Sequence, residues 1–218
     1  GLRSSPWQHL DQTSTRVNGQ NDHCQILCNP LYTALFTTAS KDRLSVLDVL
    51  RNGRPRTFLV NGEAEQWLEQ TGLSQVIRQR VARLPHDQFW DEATLERLLD
   101  QHLSDLGPQQ RRWIADATAV AAYHAADGSP IVRLLICDDA PQFAGVTADL
   151  ALCWVHEGRH YKKLVPDLAP LQATLAAFLA RFWGYYRELP AYREQPTPAV
   201  SNDEIIPKST EVKFPTLS

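Results

Sequence analysis

Methionine is missing from all 218 residues, and the chain opens on Gly1. A natural start needs methionine, so the sequence reads as an excerpt or a processed chain. Long apolar runs are missing too. Nothing approaches the roughly 20 residues that cross a bilayer, and no signal-peptide pattern opens the chain. The expectation is a soluble, cytoplasmic protein with no membrane partner. Neither sign of charge dominates: 22 Lys and Arg stand against 25 Asp and Glu, a formal net charge of -3. A uniformly basic surface is thereby excluded, and any nucleic-acid contact must be a local patch, because such affinity comes from releasing counterions at phosphates. Cysteine is sparse. Cys24, Cys28, Cys137 and Cys153 sit inside apolar segments, which suits reduced thiols rather than a disulfide framework.

What is there divides by texture. Residues 7–17, rich in Thr and Val, run into Asn18-Gly19, the pair that supplies the positive φ angles of a tight hairpin. Residues 23–29 and 31–39 follow as further strands, giving an antiparallel meander. A helix is expected at about 43–51 and a short buried strand at 54–62. The middle is helical: Trp67, Leu68, Val76, Ile77 and Val81 recur at helical spacing, Asp91 has the form of an N-cap, and Leu95, Leu98, Leu99, Leu103 and Leu106 form one stripe. A further helix runs from about 109 to the Asp127-Gly128 stop. Two apolar runs, 131–137 and 151–155, read as strands buried on both faces, and helices complete the chain to 189. The layout is α/β, with a helical insertion between the meander and the later strands. Residues 1–62 form the first part of the core, 63–129 the helical insertion, and 130–193 the second part of the core with the C-terminal helices. The stretch 194–218 carries four prolines and no sustained periodicity, so it reads as a flexible tail that has lost its natural end.

Two carboxylates stand out. Asp11 lies in the middle of the first strand, where an acid is disfavoured and expensive to bury unpaired. Asp138 sits where a fully apolar strand stops, and functional groups of open α/β sheets gather at such carboxyl ends. Converging there, the two would suit Mg²⁺ or Mn²⁺, since hard oxygen ligands select these ions. The plainer reading has Asp138 capping a turn and Asp11 facing solvent.

The stretch from His9 to Thr38 resembles the first-aspartate segment of insertion-sequence transposases, most closely the insertion sequence sixty-six family. Asp138-Asp139-Ala140-Pro141-Gln142-Phe143, followed by residues 150–164, resembles that family's second-aspartate segment. There an Asp ends a strand, an aromatic follows five residues on, and Cys-Trp-x-His leads into a basic helix. Phe143 takes the aromatic's place, which makes Asp138 rather than Asp139 the ligand. The resemblance spans roughly residues 7–190. It implies a ribonuclease-H-like core with an Asp-Asp-Glu triad that cuts and joins DNA with two Mg²⁺ ions. The implied partners are transposon ends and target DNA, with a homo-oligomer left open. The family's His-Asn-Asn-x-x-Glu segment has no match here. Glu204 has an Asn before it but the wrong spacing and surroundings, so the third carboxylate is unknown. Strand transfer is therefore expected to be lost or very weak.

Other features invite rival readings. Cys153, His156 and His160 are spaced like zinc ligands, with Cys24 and Cys28 as further candidates. That would make an unrelated zinc-binding cytosolic α/β protein. Arg159, Lys162 and Lys163 form a basic helix face, either simply solvated or holding the DNA backbone. Arg111 and Arg112 open a helix against its dipole and are expected to point to solvent. Phe178, Phe182, Trp183, Tyr185 and Tyr186 interleave with Arg; helical spacing favours packing over base stacking. A last possibility is a non-catalytic remnant that binds DNA or an intact transposase without cutting.

Overall fold

The computed structural model describes residues 7–126 and 132–194. The expected stop at Asp127-Gly128, the start of the run at Ile131, Glu204, and the tail from residue 195 onward lie outside them. Two units divide between Cys153 and Trp154, and each is described by itself.

In the first unit, β1 (Trp7–Val17), β2 (Gln20–Asn29) and β3 (Tyr32–Thr38) form the meander. Asn18 and Gly19 close its first hairpin with φ of 50° and 80°, the left-handed pair that matches strand twist. Burial alternates along β1: Gln8 and Leu10 are buried, while Trp7, His9 and Asp11 are half-buried. One sheet face therefore packs on the core and the other is only partly covered. Two glutamines are buried on the core face. Tyr32 donates to Gln8 Oε1 at 2.8 Å, and Gln25 accepts from Gln12 at 2.9 Å and donates to Thr38 Oγ1 at 2.9 Å. These bonds offset the desolvation that buried amides would otherwise incur.

β4 (Leu134–Cys137) and β5 (Asp149–Leu152) complete a five-stranded sheet in the order β3-β2-β1-β4-β5. The β1–β2 and β2–β3 pairings are antiparallel; β1–β4 and β4–β5 are parallel. The protein is thus mixed α/β with a mixed sheet. β4 is not buried on both faces as its apolar run suggested. Leu135 and Cys137 are buried while Leu134 and Ile136 are half-buried, because helices cover the sheet from the core side.

Between β3 and β4 run α1 (Arg43–Leu50), α2 (Gly62–Glu69), α3 (Gln75–Val81), α4 (Glu92–His102) and α5 (Pro108–Ala125). The first four carry side-chain N-caps: Asp42, Asn61, Ser74 and Asp91 accept from the backbone N–H groups of Ser45, Ala64, Ile77 and Thr94. Each such cap contributes about 1 kcal/mol. α5 instead starts on Pro108, whose missing N–H costs nothing at that position. Leu10 and Leu27 from the meander, Leu135 and Cys137 from β4, and buried residues of all five helices belong to one apolar cluster.

The strand expected at 54–62 is not formed. Phe58 makes a single bridge with Trp90, exchanging bonds of 2.9 Å each way, and Leu59 N–H donates to the carbonyl of Thr118 at 3.0 Å. The run is apolar because helices surround it, and no neighbouring strand is there to extend the ladder. The strand expected at 151–155 runs instead over Asp149–Leu152, and it is largely exposed rather than buried on both faces. Cys153 N–H makes a last 2.7 Å bond to the carbonyl of Cys137, and helix begins at Trp154.

The second unit holds α6 (Trp154–Lys162) and α7 (Ala169–Glu194). Tyr161, Phe178 and Phe182 meet edge to face, with ring centroids 4.8 and 5.6 Å apart, and Trp183 lies across Phe182 at 5.1 Å. Gly158 is buried against the rings of Trp183 and Phe182, where a Cβ would collide. Phe178, Phe182, Trp183 and Tyr186 of α7 therefore pack against one another and against α6, while Tyr185 is exposed. No helix among the described residues is long and apolar enough to cross a membrane.

Leu10, with no exposed surface at the centre of the sheet, gives a direct test of this architecture. Leu10→Ala is expected to lower unfolding free energy in urea by about 2–5 kcal/mol, whereas Val17→Ala at the exposed strand end should change it by less than about 0.5 kcal/mol. Similar losses at the two positions would contradict the core assignment.

Candidate functional site

The parallel ladder between β1 and β4 pairs Trp7 with Leu134, Gln8 with Leu135 and His9 with Ile136. The ladder stops at that last pair, and β4 ends at Cys137, one residue before Asp138, while Asp11 follows His9 by two residues on β1. Residues paired across a ladder point to the same side, and alternate residues share a face. Asp11 therefore shares the partly covered face with His9 and, across the ladder, Ile136, and Asp138 follows directly on the end of β4. Asp11 and Asp138 are half-buried, whereas Asp139 is exposed.

Each carboxylate is oriented locally. Asp11 Oδ1 accepts from Gln12 N–H at 2.8 Å, and Asp138 Oδ1 accepts from Ala140 N–H at 3.1 Å. The second bond turns the chain off the end of β4 into a 3₁₀ turn, Pro141–Phe143. Beside Asp138 the thiol of Cys137 is pushed up to about 12 by burial, reinforced by the negative charge of Asp138 and by Cys153. Cys137 is accordingly a neutral core residue.

The segment after Asp138 is held from several sides. Gln142 donates to Gln12 Oε1 at 2.8 Å, tying the turn back to β1. Phe143 and Val146 are buried. Gly145, at φ 67°, lies against the ring of Trp67 with no room for a Cβ. His124 on α5 bridges the carboxylate of Glu63 and the carbonyl of Val146. The most connected brace is Arg43 at the start of α1. Its Nη1 donates to Asp116 at 3.0 Å, its Nη2 donates to the carbonyl of Pro141 at 2.7 Å, and its guanidinium stacks 4.8 Å from the centre of the Trp67 ring. An open hollow of about 370 Å³ gives access to Arg43, Arg112, Asp116, Pro141 and Gln142.

Sequence patterns did not single out Arg43, Asp116 or Gln142. Asp116 left one signal: it is the lone acid in Trp-Ile-Ala-Asp-Ala-Thr-Ala-Val-Ala-Ala, a stretch too apolar to face water. Burial pushes its carboxyl above the usual range, although Arg43 and Arg112 pull it down. Arg111 and Arg112 do not simply point to solvent. Arg111 reaches Glu96 at 3.2 Å and Asp100 at 2.7 Å on α4, and Arg112 meets the N-cap Asp42 at 3.2 Å. Neighbouring acids outweigh the helix dipole at this position.

Arg159, Lys162 and Lys163 are exposed, the first two on α6 and Lys163 in the turn that follows it. Arg159 and Lys162, three residues apart, share a helix face, but Lys162 Nζ also lies 5.0 Å from the Trp183 ring centre, a packing role of its own. The zinc set is not assembled: among the described residues no three His, Cys, Asp or Glu side chains are placed to hold a metal ion. Cys24 and Cys28 lie on β2, separated from β5 by β1 and β4, roughly 14 Å at three strand spacings. Cys28 instead lies 3.8 Å from His9 Nδ1.

No family model and no solved structure matches this chain. The uncharacterized protein y4jO of Sinorhizobium fredii is similar to it, 28% identical over 204 residues, covering 92% of this chain and 62% of that protein. The chain thus spans under two thirds of the length of the relative it matches.

Arg43 and Asp116, with 15% and 11% of their side chains exposed, make a near-buried pair whose loss has a defined pH signature. Arg43→Met removes the cation that favours the charged carboxyl and should cost about 3 kcal/mol near neutral pH. A raised folded-state value means stability is retained at acid pH and lost as pH rises through it. The deficit of Arg43→Met should therefore shrink on acidification from pH 7 toward pH 5. A deficit that stays constant across urea melts in that range would contradict this account of Asp116.

Proposed function

We propose that this chain is part of a DNA-acting protein with a ribonuclease-H-like core. In this reading Asp11 and Asp138 hold a Mg²⁺ or Mn²⁺ ion, as in the insertion-sequence transposases that the sequence resembles. The observation that supports it is the parallel β1–β4 ladder, which runs β1, the strand that carries Asp11, beside β4, the strand that ends one residue before Asp138. The strand order, with β2 alone running against the other four, supports the same core.

Asp11 and Asp138 offer the hard oxygens such an ion takes. When bound, a divalent ion stabilises negative charge on phosphate oxygens during displacement. Asp11 and Asp138 would fix its place against the sheet, and the braced turn after Asp138 would keep their separation constant. Among the described residues no third acid, His or Cys completes the donor set. In this reading Asp11 and Asp138 place the ion, and cutting DNA requires a further donor from beyond the described residues. That incomplete set also favours a second reading, a non-catalytic module that engages DNA or an intact transposase.

Titration with Mn²⁺ tests the first part. The wild-type chain should bind the ion, and Asp11→Asn and Asp138→Asn should each weaken binding at least about tenfold; equal binding by Asp138→Asn would sink the pair. Mg²⁺-dependent DNA cleavage that disappears in Asp138→Ala would instead show the donor set to be complete. Arg159, Lys162 and Lys163 are proposed as contacts to the DNA backbone. Replacing Lys162 and Lys163 with Ala should weaken DNA binding and reduce the slope of log K against log salt by about 2. An unchanged slope would assign Lys162 to packing on Trp183 alone.

A further inference from the structure

We propose that Arg43 is a positioning residue for Asp138, holding the turn that follows this carboxylate at the end of β4. The inference rests on the reading of Asp11 and Asp138 as the ion-holding pair and adds a control on its geometry.

Asp138 lies at the point where β4 ends, so the ladder to β1 no longer fixes its backbone. On its β5 side the preceding Cys137 carbonyl is held by Cys153 N–H at 2.7 Å, and the rest of its support comes from the residues that follow. Its own Oδ1 ties to Ala140 N–H, and Pro141, the next residue, presents its carbonyl to Arg43 Nη2 at 2.7 Å. The guanidinium cannot swing away from that carbonyl. Asp116 on α5 holds its other terminal nitrogen at 3.0 Å, and the Trp67 ring on α2 covers its face. A planar fork spanning a carboxylate and a carbonyl is a task for Arg that a single lysine ammonium does not perform. Gln142 ties the same turn to Gln12, the neighbour of Asp11, at 2.8 Å. Asp138 is thereby referenced to the helical layer through Arg43 and to β1 through Gln142. Loss of groups that orient metal ligands commonly costs 10- to 100-fold in affinity.

The test is Mn²⁺ binding to the full chain, measured at a temperature where circular dichroism shows each variant folded. Arg43→Met is expected to bind Mn²⁺ about 10-fold more weakly than wild type. Arg43→Lys should fall between the two, and it carries the comparison if Arg43→Met does not fold. The hollow over Arg43 admits a small cation, so guanidinium well below denaturing concentration should restore part of the affinity of Arg43→Met. Arg80→Ala, which breaks a remote surface pair with Asp105, should bind like wild type. Folded Arg43→Met and Arg43→Lys binding Mn²⁺ as tightly as wild type would overturn the positioning role and leave the carboxylate pair standing. A wild-type chain that holds no Mn²⁺ would overturn the pair, and this inference with it.

Discussion

The parallel pairing of β1 with β4 is the constraint on which the rest depends. It joins the first described residues to a strand more than 120 positions later in the chain, and a parallel connection cannot be made by a tight turn. The chain must leave the sheet, cover one face and return. Five helices do this, and their buried residues share one cluster with Leu10, Leu27 and Leu135. The helical block is thus the crossover that makes the ladder possible. Its burial supplies the free energy that offsets the entropy of closing so long a loop.

The same block shapes what the sheet presents. The core face is filled by apolar side chains and by amides that bond to one another and to hydroxyls. The opposite face carries Asp11, His9 and Ile136 with partial cover. A carboxylate on the core face would have to ionise against a low dielectric, as Asp116 must. Asp11, on the partly covered face, and Asp138, just past the end of β4, keep access to water and to ions. Asp116 is thus a structural acid, shifted by burial and compensated by Arg43.

Much of this was legible in local sequence. Asn18-Gly19 announced the hairpin, Asp91 announced the start of α4, and the Thr- and Val-rich run of residues 7–17 announced β1. Errors came where tertiary packing replaces local pattern. Phe58-Leu59-Val60 reads as a strand but is a buried connector, since an apolar run does not say whether strands or helices surround it. Cys153 reads as strand interior because the run continues into Trp154, yet the ladder ends there. Asp11 and Asp138 could be picked out as unusual, but their placement depends on strand order, which no local spacing encodes. Arg43 was invisible for the same reason: its partners lie 24, 73 and 98 positions away.

The meander has a further consequence at its far end. β1 pairs with β4 only over Trp7–His9, and β3 joins β2 only from His23 onward. Beyond these limits, Thr15–Val17 and Gln20–Asp22 have each other and no third strand. A ribbon of two strands is marginal on its own and twists more than a wide sheet. Its amides should exchange with solvent deuterium through local opening, while those at the root of β1 wait for global unfolding. Motion at the tip is in this way insulated from the root of β1, where it pairs with β4.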